Sequence, residues 1–351
     1  MLNSKTVFIL GAGASFEVGF PLGSELRKQI STKLDINFDR YSDSTHKGDL
    51  KIYSRLAQTY SNKLNDIANA CWHIRDGIIL SDSIDDFIDA HQDNECIKIC
   101  GKVAIAHSIL EAEKNSSLYV DPRNTYNSIN FSSVEDTWYS KFYRLLTKQL
   151  PKTNLEDVFN NVIVVNFNYD RSLEHFLLHA FYKHYNVSKE EAKYLVDKLT
   201  VYRPYGSIGN YVSFGSNSYP TTEDILTNLR TYTEKVSDTE GLKQVHNAMQ
   251  EAEVFVFLGM AFHPNNINLL RSDLKYKPKS VFLTRKGISN SDMQLIYSRI
   301  NNMLDSQLQT TENLLSTEAI YNESNKTPSK MFIAQECRDL FDEYRLSLSE
   351  L

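Results

Sequence analysis

The sequence predicts an α/β fold, a Rossmann-like parallel sheet with helices on both faces, joined by an inserted helical module and a helical C-terminal tail. Three observations predict it. Short, apolar, β-favouring runs at residues 7–10, 162–167, 254–258 and 281–283 read as buried parallel strands. Helical patterns at 173–184, 189–199 and 242–251 separate the later runs, the alternation expected of strand–helix–strand units. The first run passes directly into a glycine turn that opens a helix.

Taken in order, VFIL (7–10) is the first strand, GAGAS (11–15) a turn without bulk, and 21–34 a helix by spacing and composition. Helical patterns dominate from about residue 53 to 150, at 52–64, 97–112 and 134–150. An Asn/Ser-rich stretch at 115–133 interrupts them as a surface loop. Strand runs then return, and the tail from Asn290 is mostly helical. The expected division is a Rossmann-like NAD-binding core at 1–35 and 155–290, a helical module at 36–154, and a C-terminal extension at 291–351.

Composition narrows the function. Lys and Arg number 38 against 44 Asp and Glu among 351 residues, a net charge of −6, which argues against a generally basic nucleic-acid surface. With 41% hydrophobic and 11% aromatic residues the chain can bury a sizeable core. The longest apolar stretch, 254–262, falls short of the roughly 20 residues that span a bilayer. The N-terminus lacks a signal-peptide layout, and the four cysteines form no CxxC pair. Cys96 and Cys100, one helical turn apart, read as packed thiols. The expectation is a soluble, reduced, cytoplasmic protein.

A strand ending in GxG before a helix is a phosphate-binding arrangement, because bare glycines let the backbone approach and N–H groups at the helix start attract an anion. The full GxGxxG is absent, since Phe16 takes the third glycine position, and no GxxxxGK[ST] occurs. A tight turn without a ligand is the alternative. Asp35 lies at about the distance where a dinucleotide-binding protein holds the adenosine ribose. Three more segments fall at carboxyl ends of strands or in tight loops: Asn168-Tyr169-Asp170 after VIVVNF, YRPYGSIG (202–209), and FVFLG (255–259) followed by Phe262-His263-Pro264-Asn265-Asn266.

Together these segments resemble the sirtuin-like NADases of bacterial antiphage defence. The resemblance rests on GAGAS followed by Gly19-Phe20-Pro21, on Ser83-Ile84-Asp85-Asp86-Phe87, on Asn168-Tyr169-Asp170, and on the run from Phe257 to Asn265 or Asn266. It covers roughly four-fifths of the chain. One departure concerns the tight loop, where the family generally has His-Gly and this chain has Tyr205-Gly206. A tyrosine of ordinary pKa about 10 is a poor general base near neutral pH.

The resemblance implies roles. Gly11, Ala12, Gly13 and Ser15 would bind NAD, with Gly206, Ser207 and Gly259 lining the same site. Asn168 would position the attacking water and the nicotinamide ribose; helix capping is its structural alternative. Asp170 would hold ribose hydroxyls or cap the same helix. Tyr205 would contact the ribose, relay a proton weakly, or only pack. His263 is the stand-in for the absent base, with a purely structural histidine as the alternative. Asp85 would line the cleft or sit in a solvated acidic turn. His175, His179 and His184 read as a partly exposed helix face, with no convincing zinc set.

The implied activity is NAD+ glycohydrolysis, with NAD as substrate and no metal. It would be gated by homo-oligomerisation, a partner defence protein or a nucleotide signal, with no membrane and no direct nucleic acid involved. A catalytically silent NAD or ADP-ribose sensor is the rival reading. Deacetylation is disfavoured because the paired CxxC module of deacetylase sirtuins is missing.

Overall fold

Strand Thr6–Leu10 (β1) is buried at all its positions, as are Val254–Leu258 (β4) and Ser280–Thr284 (β5). Successive side chains point to opposite faces of a sheet, so burial of every one means that both faces are covered. The computed structural model describes residues 2–36, 48–123, 125–209, 212–231, 234, 239–273, 275–304, 308–310 and 329–350. In it seven strands form one sheet, completed by Val162–Asn166 (β2), Thr200–Tyr202 (β3), Leu308–Thr310 (β6) and Ser329–Ala334 (β7). Their order is β3-β2-β1-β4-β5-β7-β6, and every neighbouring pair is parallel. The α/β, Rossmann-like class holds.

The register sets which strands end together. Leu10 pairs with Asn166 on one side and with Leu258 on the other, so β1, β2 and β4 end level. The chain leaves β1 toward β2, then returns from β3 to β4 on the opposite side. Between β1 and β4 the strand order therefore reverses, and in open α/β sheets that switch point forms a crevice beyond the carboxyl ends.

Among the described residues, seven α-helices lie between β1 and β2: Ala12–Phe16 (α1), Gly23–Lys33 (α2), Leu50–Thr59 (α3), Leu64–Gly77 (α4), Ile84–Ala90 (α5), Glu95–Asn115 (α6) and Trp138–Leu146 (α7). The long α6 starts where the Asn94 side chain accepts the Ile97 N–H at 3.2 Å. It is buried nearly all round, which an apolar helix at the centre of a bundle requires, and α2, α3, α4 and α5 pack against it. Helix α7 joins the sheet layer instead: Phe142 meets Phe8 of β1 edge to face at 4.9 Å, and Trp138 stacks on Phe341.

Helices Ser172–His184 (α8) and Lys189–Asp197 (α9) connect β2 to β3, and Thr222–Asn228 (α10) and Thr239–Glu251 (α11) connect β3 to β4. Pro264–Leu270 (α12) and Asn290–Asn301 (α13) follow β4 and β5, and Cys337–Glu350 (α14) follows β7.

Some details differ from the sequence reading. The helix expected over 52–64 breaks after Thr59, because Tyr60 leaves helical geometry (φ −123°, ψ 48°) just before Ser61 and Asn62, residues that favour turns. The polar stretch at 115–133 is irregular but inserts Leu118 and Ile129 into the core. Among the described residues the C-terminal tail carries α13 and α14 and also contributes β6 and β7 to the sheet. Among the described residues no helix is long and apolar enough to cross a membrane.

Candidate functional site

At the switch point the β1 and β4 turns interlock. The N–H of Gly11 donates to Leu258 O and that of Gly13 to Gly259 O, both at 2.9 Å, and the Ala14 N–H returns to Gly11 O. A Cβ on Gly13 would meet the Gly259 Cα at 2.7 Å, and one on Gly11 would meet the Gly259 carbonyl oxygen at 2.6 Å. The expectation of free N–H groups is thereby corrected at Gly11, Gly13 and Ala14. These glycines are small because another backbone lies against them. Ala12 faces solvent while Gly13 and Gly259 are half-buried, so together they form the accessible floor of the crevice.

Beside that floor lies a buried polar hub from the end of β2. The Asn168 side-chain amide donates to Gly11 O at 2.9 Å and to Ser15 Oγ at 3.2 Å, while its backbone N–H donates to Asn166 Oδ1. Asp170 accepts from Ser15 Oγ at 2.7 Å through one oxygen, and from the Ser172 N–H and hydroxyl through the other. The Ser172 N–H bond closes a local turn two residues on, just before α8, whose N-cap is Arg171 with no side-chain capping bond. Tyr139 from α7 reaches Ser172 at 2.7 Å. Arg203 clamps the segment from behind, with Nη1 donating to the carbonyls of Asn168 and Asp170 and Nη2 to Glu174.

Tyr169, between the two, points the other way. Its hydroxyl lies 2.7 Å from Asp85 Oδ1 and 3.0 Å from Arg230 O. Asp85 is 7% exposed rather than in a solvated turn, and burial pushes its pKa up to about 6 against the lowering effect of the Tyr169 bond. One hydroxyl proton cannot serve two acceptors fully, so a protonated Asp85 lets Tyr169 donate to Arg230 O.

Tyr205 is buried against Phe167, and its hydroxyl donates to Asn266 Oδ1 at 2.7 Å, tying the tight loop to α12. Gly206 adopts φ +71°, and a Cβ there would fall 1.8 Å from Asn228 O. Neighbouring Ser207 is half-buried, with its hydroxyl accepting the Gly209 N–H. His263 caps α12, its Nδ1 accepting the Asn265 N–H at 3.3 Å. The hydrogen-bond pattern assigns the proton of the neutral ring to Nε2, 3.9 Å from Asp86 Oδ1. Just before His263, Phe262 holds φ +53°, an uncommon conformation for a bulky residue, and Arg299 donates to its carbonyl at 2.9 Å.

The fold thus gathers Gly11–Ser15, Asn168, Asp170 and Gly259 at the carboxyl ends of the strands, while Asp85 bonds Tyr169, Tyr205 bonds Asn266 and His263 faces Asp86. Of the three α8 histidines expected on a partly exposed face, only His179 is buried; His175 is half-buried. His175 stacks on Phe214 at 3.8 Å and His179 is buried, and burial holds their pKa values down to about 3 and about 4. His184 is exposed and its Nδ1 lies 3.0 Å from the Tyr143 hydroxyl. Asp35 follows α2 rather than a strand, and it pairs with Arg75 at 3.0 Å.

Sequence reasoning missed Arg203, Ser172 and Tyr139, and also Glu17, which accepts the N–H groups of Trp138 and Arg338 at 2.8 Å. Arg203 sits in the glycine loop already singled out; the others carry no local signal. Nor did it find Glu113 on α6, wholly buried, which takes Arg171 in two bonds of 2.9 and 2.7 Å. Arg171 also donates to Gly209 O and Val212 O, so this pair holds the loop after Tyr205 against α6.

Cavities of about 400 and 390 Å³ open elsewhere, one where α4 meets the start of α6 and one between α7 and α8. Neither includes the glycine turn, Asn168 or Tyr205. Among the described residues no three His, Cys, Asp or Glu side chains converge as a metal set. No protein-family model matches the chain, and no curated protein matches its sequence.

Proposed function

We propose that this protein is an NAD+ glycohydrolase that releases nicotinamide and ADP-ribose at the β1–β4 crevice. The observation that supports the reading best is the Asn168 amide, bonded to Gly11 O and Ser15 Oγ where three parallel strands end level. Such a crevice is where open α/β sheets take ligands. The solvent-facing backbone at Ala12 and the exposed parts of Gly13 and Gly259 would offer a low floor for a flat dinucleotide. Nicotinamide leaves as a neutral ring, so no acid is needed to expel it. The protein's task is to hold the ribose, admit one water to C1′ and stabilise the oxocarbenium-like charge; the water's proton passes to solvent. Activity is gated by assembly, a partner protein or a nucleotide, as an antiphage effector that depletes NAD would require.

A binding-only reading, a sensor for NAD or ADP-ribose, is favoured by one arrangement. Tyr205 stands where a histidine would act, with its hydroxyl bonded to Asn266, and the His263 side chain is turned to capping α12. Incubating the purified chain with NAD+, with and without lysate of phage-infected cells, separates the two when products are resolved chromatographically and ADP-ribose binding is measured calorimetrically. Turnover that vanishes in Asn168→Ala supports the hydrolase. Binding without turnover supports the sensor, and the absence of both overturns the assignment of this crevice to NAD.

A further inference from the structure

Away from the crevice, two imidazoles meet at the edge of the helical layer. His73 on α4 and His91, the residue that ends α5, approach Nε2 to Nε2 at 3.1 Å with their rings crossing at 76°. His91 Nδ1 lies 2.8 Å from the carbonyl of Phe87, an acceptor only, so Nδ1 carries the proton and Nε2 presents its lone pair toward His73. Metal-ligating histidines are commonly held this way, anchored to a carbonyl through one nitrogen with the other directed outward.

The spacing is also suitable. Two bonds of about 2.05 Å to one ion, with the nitrogens 3.1 Å apart, subtend an angle of about 98°, between octahedral and tetrahedral values. His73 is exposed, so an ion has access. The adjoining cavity of about 400 Å³ is lined by His73 together with Asp66, Asp93 and Glu95, whose carboxylates favour a cation and leave room for its waters.

We propose that His73 and His91 form a binding site for a borderline divalent transition-metal ion of the Zn2+ class. Two imidazoles supply the protein ligands and water completes the shell, since no third ligand stands in place among the described residues. The bound ion clamps the end of α5 to α4. Helix α5 carries Asp85, which holds Tyr169, and Asp86, which faces His263, so occupancy stiffens one wall of the crevice. The site does not depend on what the crevice binds.

Equilibrium dialysis of the full chain against Zn2+ alone, with metal quantification and thermal melting, tests the proposal. About one ion per chain is expected, with a higher melting temperature when it is bound. His91→Ala should weaken binding at least tenfold. His73→Gln, which keeps an N–H donor to His91 but is a poor ligand, should do the same while leaving the metal-free melting temperature unchanged. Co2+ should give visible bands of nitrogen coordination in the parent chain and lose them in both variants. Zn2+ uptake equal in parent and variants, or none in the parent, overturns the site and leaves a hydrogen-bonded histidine pair.

Discussion

The N–H of Gly13 donates to the carbonyl of Gly259 at 2.9 Å, and a Cβ on Gly259 would lie 2.1 Å from the Ala14 nitrogen. The two turns that bound the crevice are therefore one packed unit, and its shape depends on both residues lacking a side chain.

Gly259→Ala is expected to destabilise the fold by about 3–5 kcal/mol, combining overpacking against backbone with the strain of a side chain in the left-handed region. Gly259 holds φ +61°, so moving the neighbour relieves only part of the problem. Urea denaturation measures the difference, and a change below 1 kcal/mol would show that the turns can separate freely.

Asn168→Ala removes the amide bonded to Gly11 O and Ser15 Oγ and should lower stability by about 1–3 kcal/mol. Asn168→Asp should be worse, because a carboxylate would then face the Gly11 carbonyl and lie beside Asp170. If the crevice hydrolyses NAD+, both variants lose at least a hundredfold in turnover, the scale of removing one well-placed polar group. Melting curves beside product assays separate the two effects.

Breaking the Glu113–Arg171 pair should be costly, about 3–5 kcal/mol for Arg171→Ala, since a wholly buried carboxylate loses its partner. Burial already pushes the Glu113 carboxyl above its usual range. The loop after Gly206 loses two carbonyl contacts at the same time. Faster proteolysis there than elsewhere in the chain is the expected readout.

Acid sensitivity follows from α8. His175 and His179, held down to about 3 and about 4, stay neutral in the fold while the unfolded chain takes up protons below about pH 6.5. Stability is therefore lost as pH falls from about 6.5 toward 4, at up to about 2.7 kcal/mol per pH unit for the two groups. Asp85 opposes this: raised to about 6, it keeps its proton in the fold, so its contribution falls as pH rises from about 4 to 6. Asp85→Asn should be more stable than the parent above pH 7, match it near pH 4, and lose stability more steeply between. Urea unfolding across that range checks the sign.

Tyr205→Phe removes the hydroxyl bonded to Asn266. A loss of about 1 kcal/mol in stability is expected, with NAD+ turnover within fivefold of the parent if the hydroxyl only tethers α12. A turnover loss of a hundredfold or more, at unchanged ADP-ribose affinity, would assign it to the chemistry.

Much of this architecture could be read along the chain. VFIL, VIVV and VFVFL are continuous apolar runs, as strands covered on both faces of a parallel sheet require. The long α6 declared itself by length and composition. By contrast β3 and β6 have three residues each, too few for a pattern, and exist as strands through pairing with β2 and β7. The break after Thr59 was masked by apolar spacing that continues across it.

The candidate site divides in the same way. Local sequence was enough to place a glycine turn after β1 and an Asn-Tyr-Asp segment after β2, because strand, turn and cap preferences act over a few residues. Which polar groups meet was decided by the assembled sheet. Ser15 and Asp170 are 155 positions apart, Gly13 and Gly259 further still, and no short-range preference links them. Only when β1 packs between β2 and β4 do the Gly11 and Gly13 N–H groups find carbonyls, Asp170 find Ser15, and Asp85 lose its water to Tyr169. A buried polar group takes whatever partner the fold brings within about 3 Å, and that depends on the whole topology.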